Sequence, residues 1–336
     1  MMNNKLILLL AALMTFTAAG SSFGANLTIY SARKEHLIKP LFDAYSEQTG
    51  IEIEYITDKA GPLLQRLKAE GKNTRADLLI TVDAGNLWHA AHEGILQPVA
   101  SKVLTTNVPA NLRDADGRWF GLSLRARTIV YNTDKVKPSD LSTYAALGDD
   151  TLKGRLLLRT SKKVYNQSLV AMMIAEYGEE QTEQIVKAWV ANLAAAPFSN
   201  DTKTMEAIAA GQGDVGIVNT YYFGRLMKKH PSLPLALYWP NQDIKGSGVH
   251  VNVSGAGVTK HAKHPEAAVK FLEWLSSDKA QNLFADVNQE YPVNPAVKAS
   301  DEVASWGDFI ASPFDLSKAG ELQGAAIKLM DRVGYR

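Results

Sequence analysis

Two tyrosines stand side by side at Tyr221-Tyr222, directly after the apolar run Val215-Gly216-Ile217-Val218 and the pair Asn219-Thr220. Asn and Thr are helix-capping residues, so the pair falls where a strand hands over to a helix read from about Phe223 to Lys229. In a strand, neighbouring side chains point to opposite faces. At a helix start they lie about 100° apart, and both can lean into one cleft. The positive end of the helix dipole there favours their charged form. Phenolate is a hard, anionic oxygen donor, and tyrosine, with an ordinary pKa of about 10, gives it up at neutral pH only to a strongly polarising cation. Ferric iron is such a cation, hard and highly charged. Tyr165, at another strand-to-helix turn, supplies a third phenol, and three phenolates would neutralise Fe(III). An octahedral shell would keep open positions for water or a small anion. Arg33, Arg125 and Arg127 suit that anion, because guanidinium grips planar oxyanions with two parallel hydrogen bonds. The plainer readings are aromatic packing at a strand end and ordinary ion pairing of the arginines.

The elements that must position these residues alternate. Leu27 to Tyr30 reads as a strand, and Lys34 to Gln48 as an amphipathic helix stopped at Gly50. Ile51 to Ile56 alternates as a strand does, Pro62 to Glu70 reads as a helix, and Ala76 to Val82 as a buried strand. Asp83-Ala84-Gly85 then leads into a helix carrying Trp88 and His89. Gly117 to Asn132 reads as two extended pieces around Arg125-Ala126-Arg127. A second series follows, with a strand at Arg155 to Arg159, a helix opened by Tyr165-Asn166-Gln167-Ser168, helices at Glu179 to Ala194 and Thr204 to Ala210, and the strand before Tyr221. Strands alternating with helices imply βαβ units and an α/β sheet. Tyr30 to Arg33, Asp83, Tyr165 and Tyr221-Tyr222 all lie at strand-to-helix turns, the place where open α/β sheets bind ligands.

The chain has 336 residues, enough for two domains, and 36 basic against 35 acidic residues, which gives no field for nucleic acid or an anionic membrane. Cysteine is absent, which removes disulfides, thiolate metal sites and cysteine nucleophiles. Met1 to Lys5 followed by the apolar Leu6 to Met14 and the small-x-small triplet Ser22-Phe23-Gly24 reads as a signal peptide over 1–24. Among the charged residues its removal takes away Lys5 alone, and the expected mature protein is exported to the periplasm. His89 and His92 are three apart on one helix with nothing nearby to complete a metal set. No nucleophile elbow, Walker loop or His-Glu-x-x-His is present, so the chain carries no recognisable enzyme motif.

Five stretches together are more specific than the fold. They are Ile29-Tyr30-Ser31-Ala32-Arg33, Ala76 to Gly85 (ADLLITVDAG), Trp119 to Arg127 (WFGLSLRAR), Val164 to Val170 (VYNQSLV) and Asn219-Thr220-Tyr221-Tyr222. In order, and over essentially the whole mature chain, the sequence resembles the periplasmic ferric-iron-binding proteins of bacterial ABC importers. The resemblance implies a two-lobe periplasmic-binding-protein fold (type II), each lobe a mixed or parallel sheet flanked by helices and joined by hinge strands. The lobes would comprise 26–124 with 250–300, and 125–249 with 301–336, with the ligand cleft between them and the hinge near Arg125 and Gly248 to Val253. It further implies Tyr165, Tyr221 and Tyr222 as Fe(III) ligands. Arg33 and Arg125, with Asn166 as support, would hold a synergistic carbonate or bicarbonate, and Arg127 is a further candidate. The partner would be an inner-membrane ABC permease, and the protein a monomer that is not an enzyme. Many relatives place His or Tyr just after the first arginine, whereas this chain has Lys34-Glu35-His36, which resembles the members with three tyrosine ligands. Glu35, His36 and Asp83 stay as further ligand candidates, Asp83 with a capping role as its alternative. The competing expectation is another solute, such as thiamine, a polyamine or a phosphorylated compound, because fold alone does not fix function.

Overall fold

The computed structural model describes residues 26–336, so the expected signal peptide at 1–24 lies outside the described residues. Eight strands form the sheet: β1 (Leu27–Ser31), β2 (Ile53–Thr57), β3 (Leu78–Val82), β4 (Phe120–Asn132), β5 (Leu156–Leu157), β6 (Val215–Asn219), β7 (Leu235–Tyr238) and β8 (Val251–Val258). They run in the order β2-β1-β3-β8-β4-β6-β5, with β7 also on β4. The β1–β2, β1–β3 and β5–β6 pairs are parallel, as βαβ units require. Every pair made by β4 and β8 is antiparallel, so the sheet is mixed.

Gly117 to Asn132 differs from its sequence pattern. The two extended pieces are one continuous strand, because Arg125 and Arg127 find partners in buried polar networks and need no loop. That strand changes neighbours partway: Phe120 to Ala126 pair with β8, while Arg127 to Tyr131 pair with β6. At Gly255, between β3 and β4, an added Cβ would lie 2.4 Å from the Phe120 carbonyl oxygen, so only glycine lets the strands close there. The strand expected at Arg155 to Arg159 is ordered as a ladder only over Leu156–Leu157.

The hydrophobic effect divides the chain into two lobes. One core gathers Leu27, Leu79, Leu87, Trp119, Val253 and Phe271. The other covers both faces of β6: Val215 and Ile217 pack with Val170 and Trp189, whereas Val218 packs with Met205 and Ile208. That alternation is the two-residue period of a strand covered on both sides. The C-terminal stretch is shared, with Leu316 and Ala319 in the first core and Ala326, Leu329 and Met330 in the second.

Candidate metal centre

The tandem tyrosines sit in the first turn of the helix Thr220–Lys229, which starts three residues earlier than its pattern indicates. Asn219 is the N-cap residue by backbone position, but its side chain caps nothing. Its Oδ1 accepts from Arg127 Nη1 at 3.1 Å and its Nδ2 donates to the Tyr221 phenol oxygen at 3.3 Å. The Tyr221 and Tyr222 rings lie 4.5 Å apart between centroids, at 34°. Tyr165 opens the helix Val164–Tyr177 from the neighbouring strand-to-helix turn.

The three phenols meet at one cavity of about 200 Å³, walled on the first-lobe side by Arg33, Lys34, Val82 and Glu290 and on the other by Arg225. Burial, and then neighbouring Tyr222, push the Tyr165 phenol above the ordinary tyrosine value, while Arg125 pulls it down. Burial, then Tyr165 and Tyr222, push Tyr221 well above it. Both phenols are therefore protonated at neutral pH, and a cation that uses them must displace their protons. Among the described residues, no three His, Asp or Glu side chains converge to hold a metal.

Cations surround the phenols. The Arg125 guanidinium stands 5.6 Å from the Tyr165 ring centroid, Arg159 stands 5.1 Å from Tyr165 and 5.8 Å from Tyr222, and Arg225 stands 5.0 Å from Tyr221. Three buried guanidinium nitrogens lack a protein hydrogen-bond acceptor: Arg33 Nε, Arg125 Nη2 and Arg159 Nε. Buried donors of this kind carry a desolvation cost that an anion would relieve.

The other sequence candidates are placed as follows. Arg33 lines the cavity, but Nη1 donates to Glu290 at 3.2 Å and Nη2 to Asn288 at 2.7 Å. Arg127 points into the second lobe, where it binds Asn166 Oδ1 at 3.0 Å and Asp201 at 3.1 Å. The Asn166 amide donates to the Arg159 carbonyl at 2.7 Å and the Tyr335 hydroxyl at 2.8 Å, so Asn166 and Arg127 satisfy each other and the surrounding backbone away from the cavity. Glu35 and His36 are exposed at a helix start, Glu35 accepting from the Tyr55 hydroxyl at 2.7 Å. Asp83 is fully buried and caps the helix Ala84–His92 by accepting from Gly85 N at 2.9 Å. His89 binds Gln323 at 2.7 Å, a structural contact.

Two wall residues, Arg225 and Glu290, and Arg159 beside the phenols escaped the sequence reading. Arg225 lies one helical turn after Tyr221, and that i, i+4 spacing was a usable signal. Arg159 follows β5 at the same strand-end position as the tyrosines, but the brevity of β5 hid it. Glu290 follows the helix Asp278–Asn288 in a loop that no periodicity marks.

A two-lobe α/β chain whose polar side chains converge from both lobes on one cleft defines a class, the solute-binding proteins. The chain belongs to the bacterial extracellular solute-binding protein family, whose pattern it matches over residues 40–311. It is 44% identical to iron uptake protein A1 of Synechocystis, over 93% of this chain and 88% of that one. It also resembles the solved Trichodesmium IdiA (FutA) in complex with iron and citrate, with TM-score 0.89 and 42% identity over 93% of this chain and 100% of that one. Ferric iron-binding protein A of Mannheimia haemolytica, in an open conformation, gives TM-score 0.87 and 36% identity over 93% and 99%.

Proposed function

We propose that this chain is a binding protein, not an enzyme, that captures ferric iron outside the inner membrane and delivers it to an ABC permease. The observation that carries the reading is the convergence of Tyr165, Tyr221 and Tyr222 on one cavity. The iron-named relatives support the same cargo. The three phenolates would hold Fe(III), and a small anion would complete the shell, held by Arg125 Nη2 and Arg33 Nε, which donate no hydrogen bond within the protein. Carbonate or bicarbonate is the anion this reading favours, and citrate is the alternative that the Trichodesmium complex raises.

In this reading, export follows from the signal peptide, and the protein works as a monomer whose lobes close by hinge motion. The first lobe takes 26–124 with 250–300, and the second takes 125–249 with the C-terminal helices, of which Gln323–Arg332 packs in the second core while Ala319 of Lys318–Glu321 reaches the first. The change of partners along β4 between Ala126 and Arg127 supports a hinge at that point. A cationic organic solute such as thiamine or a polyamine fits less well, because the one wall carboxylate, Glu290, is bound to Arg33. The test is dialysis of iron-stripped protein against a ferric chelate, followed by metal analysis. One retained iron per chain is expected. No retained iron, with tight calorimetric binding of thiamine, a polyamine or a sugar phosphate, would overturn the reading.

A further inference from the structure

Asp83 has the geometry of a tie between moving parts. Its backbone adopts φ 78° and ψ 125°, a conformation that a residue with a Cβ rarely takes. Strain of this kind persists only where the surroundings impose it, and it marks positions worth a functional hypothesis. The surroundings here are four. Oδ1 accepts from Gly85 N of its own helix at 2.9 Å and from Ser168 Oγ at 2.6 Å. Oδ2 accepts from Asn252 Nδ2 at 3.0 Å and lies 3.7 Å from Arg125 Nη2. Asp83 N also donates to the Val253 carbonyl at 2.9 Å, and the Asn252 side chain returns a bond by accepting from Ala84 N at 2.8 Å.

These partners belong to different bodies. Gly85 is in the first core's helix, and Arg125 and Asn252 are on β4 and β8. Ser168 lies on the helix Val164–Tyr177, which packs mainly in the second core through Leu169, Val170 and Met173 while its Met172 reaches the first. Tyr165 sits in the first turn of that helix, about one turn before Ser168, and Arg125 stands over the Tyr165 ring. One carboxylate therefore joins the first lobe, two strands of the sheet centre and the helix that presents a phenol to the cavity.

We propose that Asp83 is a positioning residue and not an iron ligand: through Ser168 it sets the Tyr165 helix against the first lobe and so couples the cavity to lobe closure. The proposal rests on the iron reading only for its second readout. Both oxygens of Asp83 are engaged by the tie, and Asp83 is not among the cavity's walls. Removing the Ser168 hydroxyl deletes this one hydrogen bond between the lobes while the cap on Gly85 and the bond to Asn252 survive.

The chain has no cysteine, so Glu47→Cys and Lys203→Cys, both at exposed positions, place one spin label on each lobe without competing sites. In the iron-free protein, Ser168→Ala and Asp83→Asn should broaden the label-to-label distance distribution toward longer separations. In the iron-loaded protein, both should lose iron to a competing chelator about tenfold faster, the scale of one buried hydrogen bond, with the visible absorption maximum unchanged. If Ser168→Ala leaves the distances as in the parent, the tie is wrong. A shifted or lost absorption band in Asp83→Asn would make Asp83 a ligand and also overturn the proposal. If the parent itself takes up no iron, the iron reading fails while the distance measurement still decides the tie.

Discussion

Arg33 and Glu290 form a buried ion pair across the wall of the cavity, Nη1 to Oε2 at 3.2 Å, with both side chains 4% exposed or less. Ser123 also donates to Glu290. Burial alone would raise the Glu290 carboxyl, but Arg33 and Arg125 outweigh it and hold it below the ordinary glutamate range. A depressed carboxylate stabilises the fold above the unfolded value, and that contribution is lost as pH falls through the folded one. Removing one member of such a pair strands the other charge. Glu290→Leu should therefore cost about 3–5 kcal/mol in chemical denaturation at pH 7, and a loss under 1 kcal/mol would contradict the pairing.

The three phenols should be separable from the fold. Tyr165→Phe, Tyr221→Phe and Tyr222→Phe each delete one oxygen from a cavity wall and should leave the circular dichroism spectrum and melting temperature close to the parent's. Each should weaken ferric binding at least 100-fold, roughly, more than the loss of a group that only supports a ligand. Chelator competition measures this, and a variant that binds as tightly as the parent removes that tyrosine from the set.

Proton release gives an independent count. Tyr165 and Tyr221 are both pushed up and protonated before iron arrives. Their displacement should release at least two protons per iron, so affinity falls as pH falls. Titration in weakly buffered solution reads the number directly, and release of less than one proton would mean that these phenols do not ligate.

His250 predicts an acid-sensitive fold. It is buried beside Arg127 and Arg125, its Nδ1 has no partner, and burial followed by those two charges lowers its pKa to about 3. The unfolded chain binds a proton near pH 6.5, where the folded chain does not. Stability should therefore rise with pH across the window from about 3 to 6.5 and flatten above it, at about 1.4 kcal/mol per pH unit inside the window. Denaturation between pH 4.5 and 6.5, above the carboxylate range, tests this (pH limits about those of free His and Glu). His250→Asn should flatten the slope, and an unchanged slope would place the sensitivity elsewhere.

Much of this arrangement was legible in the sequence, for physical reasons that stop at identifiable points. The strand-to-helix turns at Tyr165 and Tyr221-Tyr222 follow from apolar runs next to helix patterns, and a shared cleft follows from their common position at strand ends. What local pattern cannot carry is partner choice. Arg127 and Arg125 are two residues apart on one strand, yet Arg127 is drawn to Asp201 in the second lobe while Arg125 stays beside Tyr165. Asn219 looked like a cap, but the tertiary pull of Arg127 took its oxygen. Glu290 was invisible because the ion pair that gives it meaning spans 257 positions.

The most direct test of the central claim is a visible absorption titration of iron-stripped protein with a ferric chelate, with and without bicarbonate. Phenolate-to-iron(III) charge transfer should turn the protein orange to purple and saturate at one iron per chain. The colour should depend on bicarbonate in the parent and lose that dependence in Arg125→Ala. Tight iron binding without a charge-transfer band would contradict tyrosinate ligation, and full colour in the absence of any added anion would contradict the role given to the arginines.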